Sequence, residues 1–382
     1  MLTRHICPSC LISFSTPSWR DAAGNEVRAD RLVRLAPRVA RLRDQVAWRL
    51  GQQEGLTGRA AAAAAAGLLP ACPRGHRLPE GYTSRRTVVI GLVGLTGSGK
   101  STYLTTLLEA LHEGALAPLD ISVELAEDSA ERHRQSRLRL IVDRIPLGLT
   151  PPLTGDEVQQ PVVLTLTRSN GDAAPSGINL LVYDASGEQL LRRADIAQYN
   201  RYLYVADGVI LIIDPSALPR LSGPDHAPAE VLGPAAATQM IGALAELMRS
   251  SRGLKSSAVV PDAAVAVALS KADRLAATLP PGALKRERLD ELHAVLRRAY
   301  STSEDLAEYI DQMGGENLTS IILRRLPQVT LHAVSATGSD VTDGHYPSVE
   351  SVGVVEPLVV LLARVGFLPS YGLDPDDWSV GE

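Results

Sequence analysis

Thr87-Val-Val-Ile-Gly-Leu-Val-Gly94-Leu-Thr-Gly97-Ser98-Gly99-Lys100-Ser101 is the stretch that decides the architecture of this chain. Its first seven residues are an apolar, β-branched run that reads as a buried strand. The run passes directly into G-x4-G-K-S, a turn rich in glycine because backbone N–H groups must fold inward around an anion. Gly94, Gly97, Ser98 and Gly99 form the cradle. Lys100 is placed to reach β- and γ-phosphates, and Ser101 to ligate Mg2+, with Thr102 beside it. The helix expected from Ser101 to about Glu113 points its positive dipole end at the same phosphates.

Three later segments narrow the chemistry. Asn179-Leu-Leu-Val-Tyr-Asp184-Ala-Ser-Gly187-Glu188 is an apolar strand ending in D-x-x-G. Asp184 is the candidate to hold Mg2+ through water, and the Gly187 N–H to bond a γ-phosphate, a bond that hydrolysis removes. A second buried strand, Gly208–Ile213, follows. Ala264-Val-Ala-Val-Ala-Leu-Ser270-Lys271-Ala272-Asp273 ends a further strand in a form close to N-K-x-D. A carboxylate at Asp273 can accept the N1–H and 2-amino hydrogens of guanine, which adenine does not offer in that arrangement, while Lys271 lies along the base plane. Thr330-Leu-His-Ala-Val-Ser335-Ala336-Thr337 ends a strand in a turn suited to the rest of the base.

Taken in this order, the segments resemble the TRAFAC class of P-loop GTPases, the Ras-like and translation-factor-related proteins. The layout, with its cysteine-bearing N-terminus, most resembles the bacterial double-GTPase family of predicted conflict systems. The resemblance implies a three-layer α/β fold with a mostly parallel sheet, GTP/GDP with Mg2+ as ligand, and a regulatory switch. It also implies a threonine ahead of the strand over 162–168 that ligates Mg2+ and senses the γ-phosphate. Thr154 is the candidate and Thr150 the runner-up. Two departures stand out. Ser270 replaces the usual asparagine, which weakens the expected link back to the phosphate loop. Glu188 follows Gly187 where an amide that orients the attacking water is common, so the sequence predicts slow turnover and dependence on a partner or on self-association.

The remaining chain is ordinary in composition, with 45% hydrophobic and 21% charged residues, which excludes a largely disordered or collagen-like chain. Charge is uneven: residues 1–86 carry 14 arginines against 6 acidic residues, while the whole chain has a net charge of −5. No apolar run reaches the ~18–20 residues of a membrane span, and the N-terminus lacks an apolar signal core, so a soluble, cytoplasmic protein is expected. All three cysteines lie N-terminally, in Cys7-Pro-Ser-Cys10 and Cys72-Pro-Arg-Gly-His76. C-x2-C and C-x3-H turns can supply the four ligands of a closed, structural Zn2+ site.

Between these turns the spacing predicts a basic amphipathic helix over 27–50 and a Gly/Ala linker over 52–67. The expected organisation is a zinc-binding module over 1–86, a GTPase domain over 87–366 with inserts near 119–144, 216–234 and 275–327, and a tail over 367–382. The inserts should hold a strand over 121–125, a polar helix over 129–143, and helices over 283–300 and 304–313. A closing helix is expected over 354–365. Three functional classes fit: a GTP-driven switch, a GTP-binding assembly scaffold with little hydrolysis, and a nucleic-acid-associated GTPase, the last being least favoured.

Overall fold

The computed structural model describes residues 4–27, 67–148, 159–170, 173–186, 200–221, 234–251, 253, 264–285, 289, 291–326 and 329–370. The chain forms two compact units, Met1–Thr87 and Val88–Glu382. The helix expected over 27–50 and nearly all of the linker lie outside the described residues.

The first unit is made of very short strands. β1 (His5–Ile6) pairs antiparallel with β2 (Ser13–Phe14). β3 (Ser18–Arg20) lies between β4 (Glu26–Val27) and β5 (Leu69–Ala71). Trp19 packs with Val27 and Leu68, and the buried Tyr82 donates its hydroxyl proton to the Ile6 carbonyl at 2.6 Å. Among the described residues of this unit the buried apolar cluster is small, the situation in which a further staple contributes most.

The second unit is built on one seven-stranded sheet. Its strands are β6 (Arg86–Gly94), β7 (Ile121–Leu125), β8 (Val162–Asn170), β9 (Ala173–Ser186), β10 (Gly208–Ile213), β11 (Ala264–Leu269) and β12 (Val329–Ala333). They lie in the order β12-β11-β10-β6-β9-β8-β7. β6, β10, β11 and β12 run parallel, with Gly208 opposite both Ile90 and Ala264. β10, β11 and β12 are buried at every position, the continuous apolar reading of a parallel strand covered on both faces. β7 and β8 join antiparallel at the far edge, and there the exposed Ser122 and Glu124 alternate with better-covered Ile121, Val123 and Leu125. The sheet is thus parallel where the motifs sit and antiparallel where the insert was added.

Six helices are described: α1 (Lys100–His112), α2 (Glu127–Arg137), α3 (Pro234–Ser251), α4 (Leu292–Gln312), α5 (Glu316–Arg325) and α6 (Glu356–Arg364). Apolar residues of α1, α4 and α6 form one core with Ile90, Leu92, Leu180, Val182, Ile210 and Ile212. Gly91, of opposite parity in β6, faces Tyr202 and Leu203 instead, and Tyr202 stacks on Tyr183 at 4.8 Å between ring centroids.

Several elements differ from expectation. α4 is continuous where two helices were expected over 283–300 and 304–313. The Ser301 and Thr302 hydroxyls bond back to the Arg298 carbonyl, and Ser303 accepts the Leu331 N–H at 2.9 Å, so the polar run is satisfied without a break. α4 also starts late, at Leu292, and the described residues 281–284 form turns and bends, with Gly282 at φ 83°. The polar helix ends in a π-turn over Leu138–Val142. α3 and α5 were not anticipated; α3 buries Ala237, Met240, Ile241, Leu244, Ala245 and Met248. Phe367 and Leu368, read from sequence as the start of a tail, pack in the core. No helix among the described residues is long and apolar enough to cross a membrane.

Candidate nucleotide site and metal centre

The phosphate loop leaves the C-terminal end of β6, where ligands bind in sheets of this kind. Gly94 has no room for a side chain: a Cβ there would lie 2.7 Å from both the Ile212 carbonyl oxygen and the Ser98 hydroxyl. Gly97 (φ 79°) and Gly99 (φ 86°) take the left-handed conformation that glycine adopts without strain. Gly99 also precedes α1 as its N-cap and offers no side chain to cap it, which leaves the first N–H groups of the helix available to an anion. Lys100 is buried and its Nζ donates to the Gly94 and Leu95 carbonyls at 2.6 and 3.0 Å. Thr102 sits in the first turn, where its carbonyl accepts the Thr106 hydroxyl.

Ser101 and Asp184 meet across the first turn of α1. The Ser101 hydroxyl donates to Asp184 Oδ2 at 3.0 Å, and the Gln159 side chain donates to the Asp184 carbonyl. The other oxygen, Oδ1, is buried and makes no hydrogen bond among the described residues. Burial pushes the Asp184 carboxyl above its ordinary range, against the opposing pull of Lys100 and Ser101. A buried, half-satisfied carboxylate next to a hydroxyl fits a hard cation that prefers oxygen ligands, such as Mg2+.

The elements expected from sequence to read a base are joined directly to this loop. Ser270, at the end of β11, donates its hydroxyl proton to the Ser98 carbonyl at 2.8 Å, with Ile213 O at 3.1 Å. The link back to the loop is made with serine in place of asparagine: its short side chain reaches because β11 brings the backbone close. Lys271 adopts φ 51° and donates to the Gly97 carbonyl at 3.0 Å, while pairing with Asp214 at 2.6 Å. Asp214 was read from sequence only as the end of the β10 run, without a site role; it lies in a turn where Ser216 donates to it. Asp273 accepts the Ser335 hydroxyl, and Ser335 in turn accepts the Gly338 N–H at 2.9 Å. Ala336 follows, and the Thr337 hydroxyl donates to the Ser339 carbonyl at 3.0 Å. Thr154, Thr150, Gly187 and Glu188 lie outside the described residues.

A match to the Double-GTPase 2 family model extends over residues 88–337, two thirds of the chain and all of the motifs above. The chain belongs to the Double-GTPase 2 family. Among solved structures it is similar to the Arl6 small GTPase of Trypanosoma brucei with a bound nucleotide analogue, at 12% identity over 65% of this chain and 87% of that one, TM-score 0.24. It is similar also to the mammalian SRP receptor, at 14% identity, 72% and 99% coverage and TM-score 0.31. A third is the GTPase-like domain of S. cerevisiae Ski7 bound to GTP, at 12% identity, 74% and 51% coverage and TM-score 0.32. No curated protein matches.

The family match begins after the cysteine-bearing unit, whose site is separate. Cys7, Cys10, Cys72 and His76 bring their ligand atoms within 4.8 Å of one another. Cys10 and Cys72 sulfurs are 3.8 Å apart, and Cys72 Sγ lies 3.4 Å from His76 Nδ1. Tetrahedral Zn2+ with bonds of about 2.3 Å to sulfur and 2.0 Å to nitrogen sets these edges at roughly 3.8 and 3.5 Å. Each half is a tight turn: Leu11 (φ 59°) returns its N–H to the Cys7 carbonyl, and Gly75 (φ 89°) returns its own to Cys72. Burial pushes the Cys7 thiol up to about 12. Burial also opposes ionisation of Cys72, yet the backbone N–H groups of His76 and Arg74 hold that thiol below its ordinary range. The donor set and spacing fit Zn2+.

Proposed function

We propose that this family member binds GTP or GDP with Mg2+ and acts as a slowly hydrolysing regulatory switch. The observation that carries the reading is the junction between the two ends of the site. Ser270 and Lys271 bond the carbonyls of Ser98 and Gly97, so the loop suited to phosphate and the carboxylate suited to guanine are parts of one hydrogen-bonded unit. Lys100 would leave the Gly94 and Leu95 carbonyls to meet the β- and γ-phosphates. The N–H groups from Gly97 to Thr102 would bind phosphate oxygens, and Asp273, Ser335, Ala336 and Thr337 would border the base. Ser101 and Asp184, with Thr154, would hold Mg2+, which supplies neutralisation of phosphate charge.

Turnover is expected to be slow. Glu188 stands where a neutral amide would orient water, and a carboxylate close to the γ-phosphate repels it. An arginine supplied by a partner or a second copy would supply the missing stabilisation, a contribution of roughly 10^3–10^5-fold in related chemistry. The resemblance to double-GTPases of conflict systems supports a role within a bacterial multi-protein assembly. In this reading the zinc module over 1–86 is structural, and a nucleic-acid role for it is not favoured.

Equilibrium titration with fluorescent GDP, GTP and ATP tests the first part, with Lys100→Ala as control. Selective guanine binding by the wild type and its loss in the variant are expected; equal affinity for ATP would overturn the reading. Single-turnover hydrolysis by the isolated chain at several per second would overturn the partner-dependent switch, and none with any partner would favour a GTP-binding scaffold.

A further inference from the structure

We propose that Asp214 is a positioning residue that commits Lys271 to the base side of the nucleotide site and keeps its charge from the phosphates. The proposal rests on the base-reading role given to Lys271 and Asp273 above and adds an acidic residue with a task of its own. Strand register brings the two groups together. β10 and β11 run parallel with Ile213 opposite Leu269, and the pairing continues past both strands. The Ser270 N–H bonds the Ile213 carbonyl at 2.9 Å, and the next residue of each segment, Asp214 and Lys271, meet through their side chains at 2.6 Å.

Each partner is held at its own end. Asp214 is buried, and its Oδ1 accepts both the backbone N–H of Ser216, at 2.9 Å, and the Ser216 hydroxyl. Its Oδ2 makes no directed hydrogen bond among the described residues, and its close partner is the Lys271 ammonium. The contact is therefore one of charge. Asp214 also borders a small cavity walled chiefly by Leu95, Ile212, Ala217, Ala237 and Met240, and no other charged residue lines it. Apolar walls exclude water, which strengthens the attraction between the two charges. Lys271 takes φ 51° where the chain leaves β11, a conformation costly for a residue with a Cβ, and its Nζ also donates to the Gly97 carbonyl at 3.0 Å.

The two lysines of the site are thus anchored differently. Lys100 Nζ sits against the neutral carbonyls of Gly94 and Leu95, at 2.6 and 3.0 Å, whereas the Lys271 ammonium has a carboxylate at 2.6 Å. A phosphate oxygen displaces a neutral carbonyl more readily than a carboxylate, because the carboxylate already gives the ammonium a charge-assisted partner. Lys100 is left to the phosphates and Lys271 to the base, and Asp214 decides which is which.

Stopped-flow release of fluorescent GDP from the full chain tests this, with Asp214→Asn, Lys271→Met, the double variant and Ser216→Ala. Asp214→Asn is isosteric, keeps an acceptor for Ser216 and removes only the charge; it should release GDP about 5-fold faster or more. Added to Lys271→Met, it should change release by less than about twofold, because a residue that acts through the lysine then has nothing to position. Ser216→Ala, which loosens the same turn without touching the ion pair, should leave release unchanged. Inorganic triphosphate should compete against Asp214→Asn as well as against wild type or better, since the released ammonium adds positive charge near the loop. Four results overturn the assignment while leaving guanine selectivity intact: wild-type release from Asp214→Asn, additive loss in the double variant, equal loss in Ser216→Ala, or weaker triphosphate binding by Asp214→Asn. A wild type that does not prefer guanine overturns the underlying reading and the assignment together.

Discussion

Removing one hydroxyl should loosen the joint between the two halves of the nucleotide site. Ser270 is 6% exposed, and its proton is shared between the Ser98 carbonyl at 2.8 Å and the Ile213 carbonyl at 3.1 Å. Ile213 O keeps a partner in Ser270→Ala, because the backbone N–H of residue 270 already bonds it at 2.9 Å. The loss falls on the Ser98 carbonyl, in a residue 1% exposed that lies at the centre of the phosphate loop. A buried acceptor left without its donor costs about 1–3 kcal/mol, more than the ~1 kcal/mol that the bond itself contributes. If about 1–2 kcal/mol of this is restored only by ordering the loop around phosphate, GDP affinity should fall by roughly 5- to 30-fold. Ser270→Cys, near in volume and a weaker donor, should fall between. Displacement of fluorescent GDP measures the first quantity, and thermal melting without nucleotide measures the loss of stability. Wild-type affinity and melting temperature in Ser270→Ala would refute the reasoning, since Ser98 would then be held in place without this bond.

Asp273→Asn should weaken GTP and strengthen xanthosine triphosphate, because an amide can donate to the C2 oxygen that a carboxylate repels; a variant with unchanged preference would remove Asp273 from base reading. Purified protein should carry about one zinc per chain by metal analysis, and Cys72→Ser should lose it and expose the first unit to protease while leaving guanine affinity unaltered. Glu356 supplies a pH dependence. Burial acts against its charge, but His332 at 2.7 Å and Arg298 at 3.1 Å hold its carboxyl below the ordinary range. Its contribution is therefore full above the unfolded value of about 4.3 and is lost as pH falls through the folded value. Glu356→Gln should cost about 1–2 kcal/mol at neutral pH, and denaturant melts should show the gap to wild type closing below about pH 4. A gap of constant size down to pH 3 would contradict it.

What could be read from sequence was what local chemistry dictates. The glycines at 94, 97 and 99 are demanded by contacts and dihedrals that no other residue meets, so the phosphate loop was visible residue by residue. β10 and β11 were visible as unbroken apolar runs, because strands covered on both faces leave no alternative pattern. The Cys/His turns were legible for the same reason, each being a single tight loop. What stayed hidden depends on distance in the chain. Ser270 looked like a weakened joint because its reach is set by how closely β11 approaches the loop, 172 residues away in sequence. Asp214 was visible only as the end of an apolar run, and its pairing with Lys271 becomes apparent only after the chain has folded. The unbroken α4 was obscured by a serine–threonine run whose hydroxyls are satisfied by its own turns and by β12.

Lys271 and Ser270 hold the phosphate loop through its carbonyls, by bonds of 3.0 and 2.8 Å, and this has a metrical consequence. The span between the glycine loop and Asp273 is set by two short bonds, from Ser270 and Lys271, and by the end of β11. If the proposed reading holds, the site would behave as a fixed gauge, and its ligand would need the right length between base and phosphate as well as the right ends. A guanine base alone or a phosphate chain alone engages one jaw and gains nothing from the other. Only a ligand that closes the full span collects both contributions, so selectivity for the whole nucleotide exceeds what either jaw could enforce.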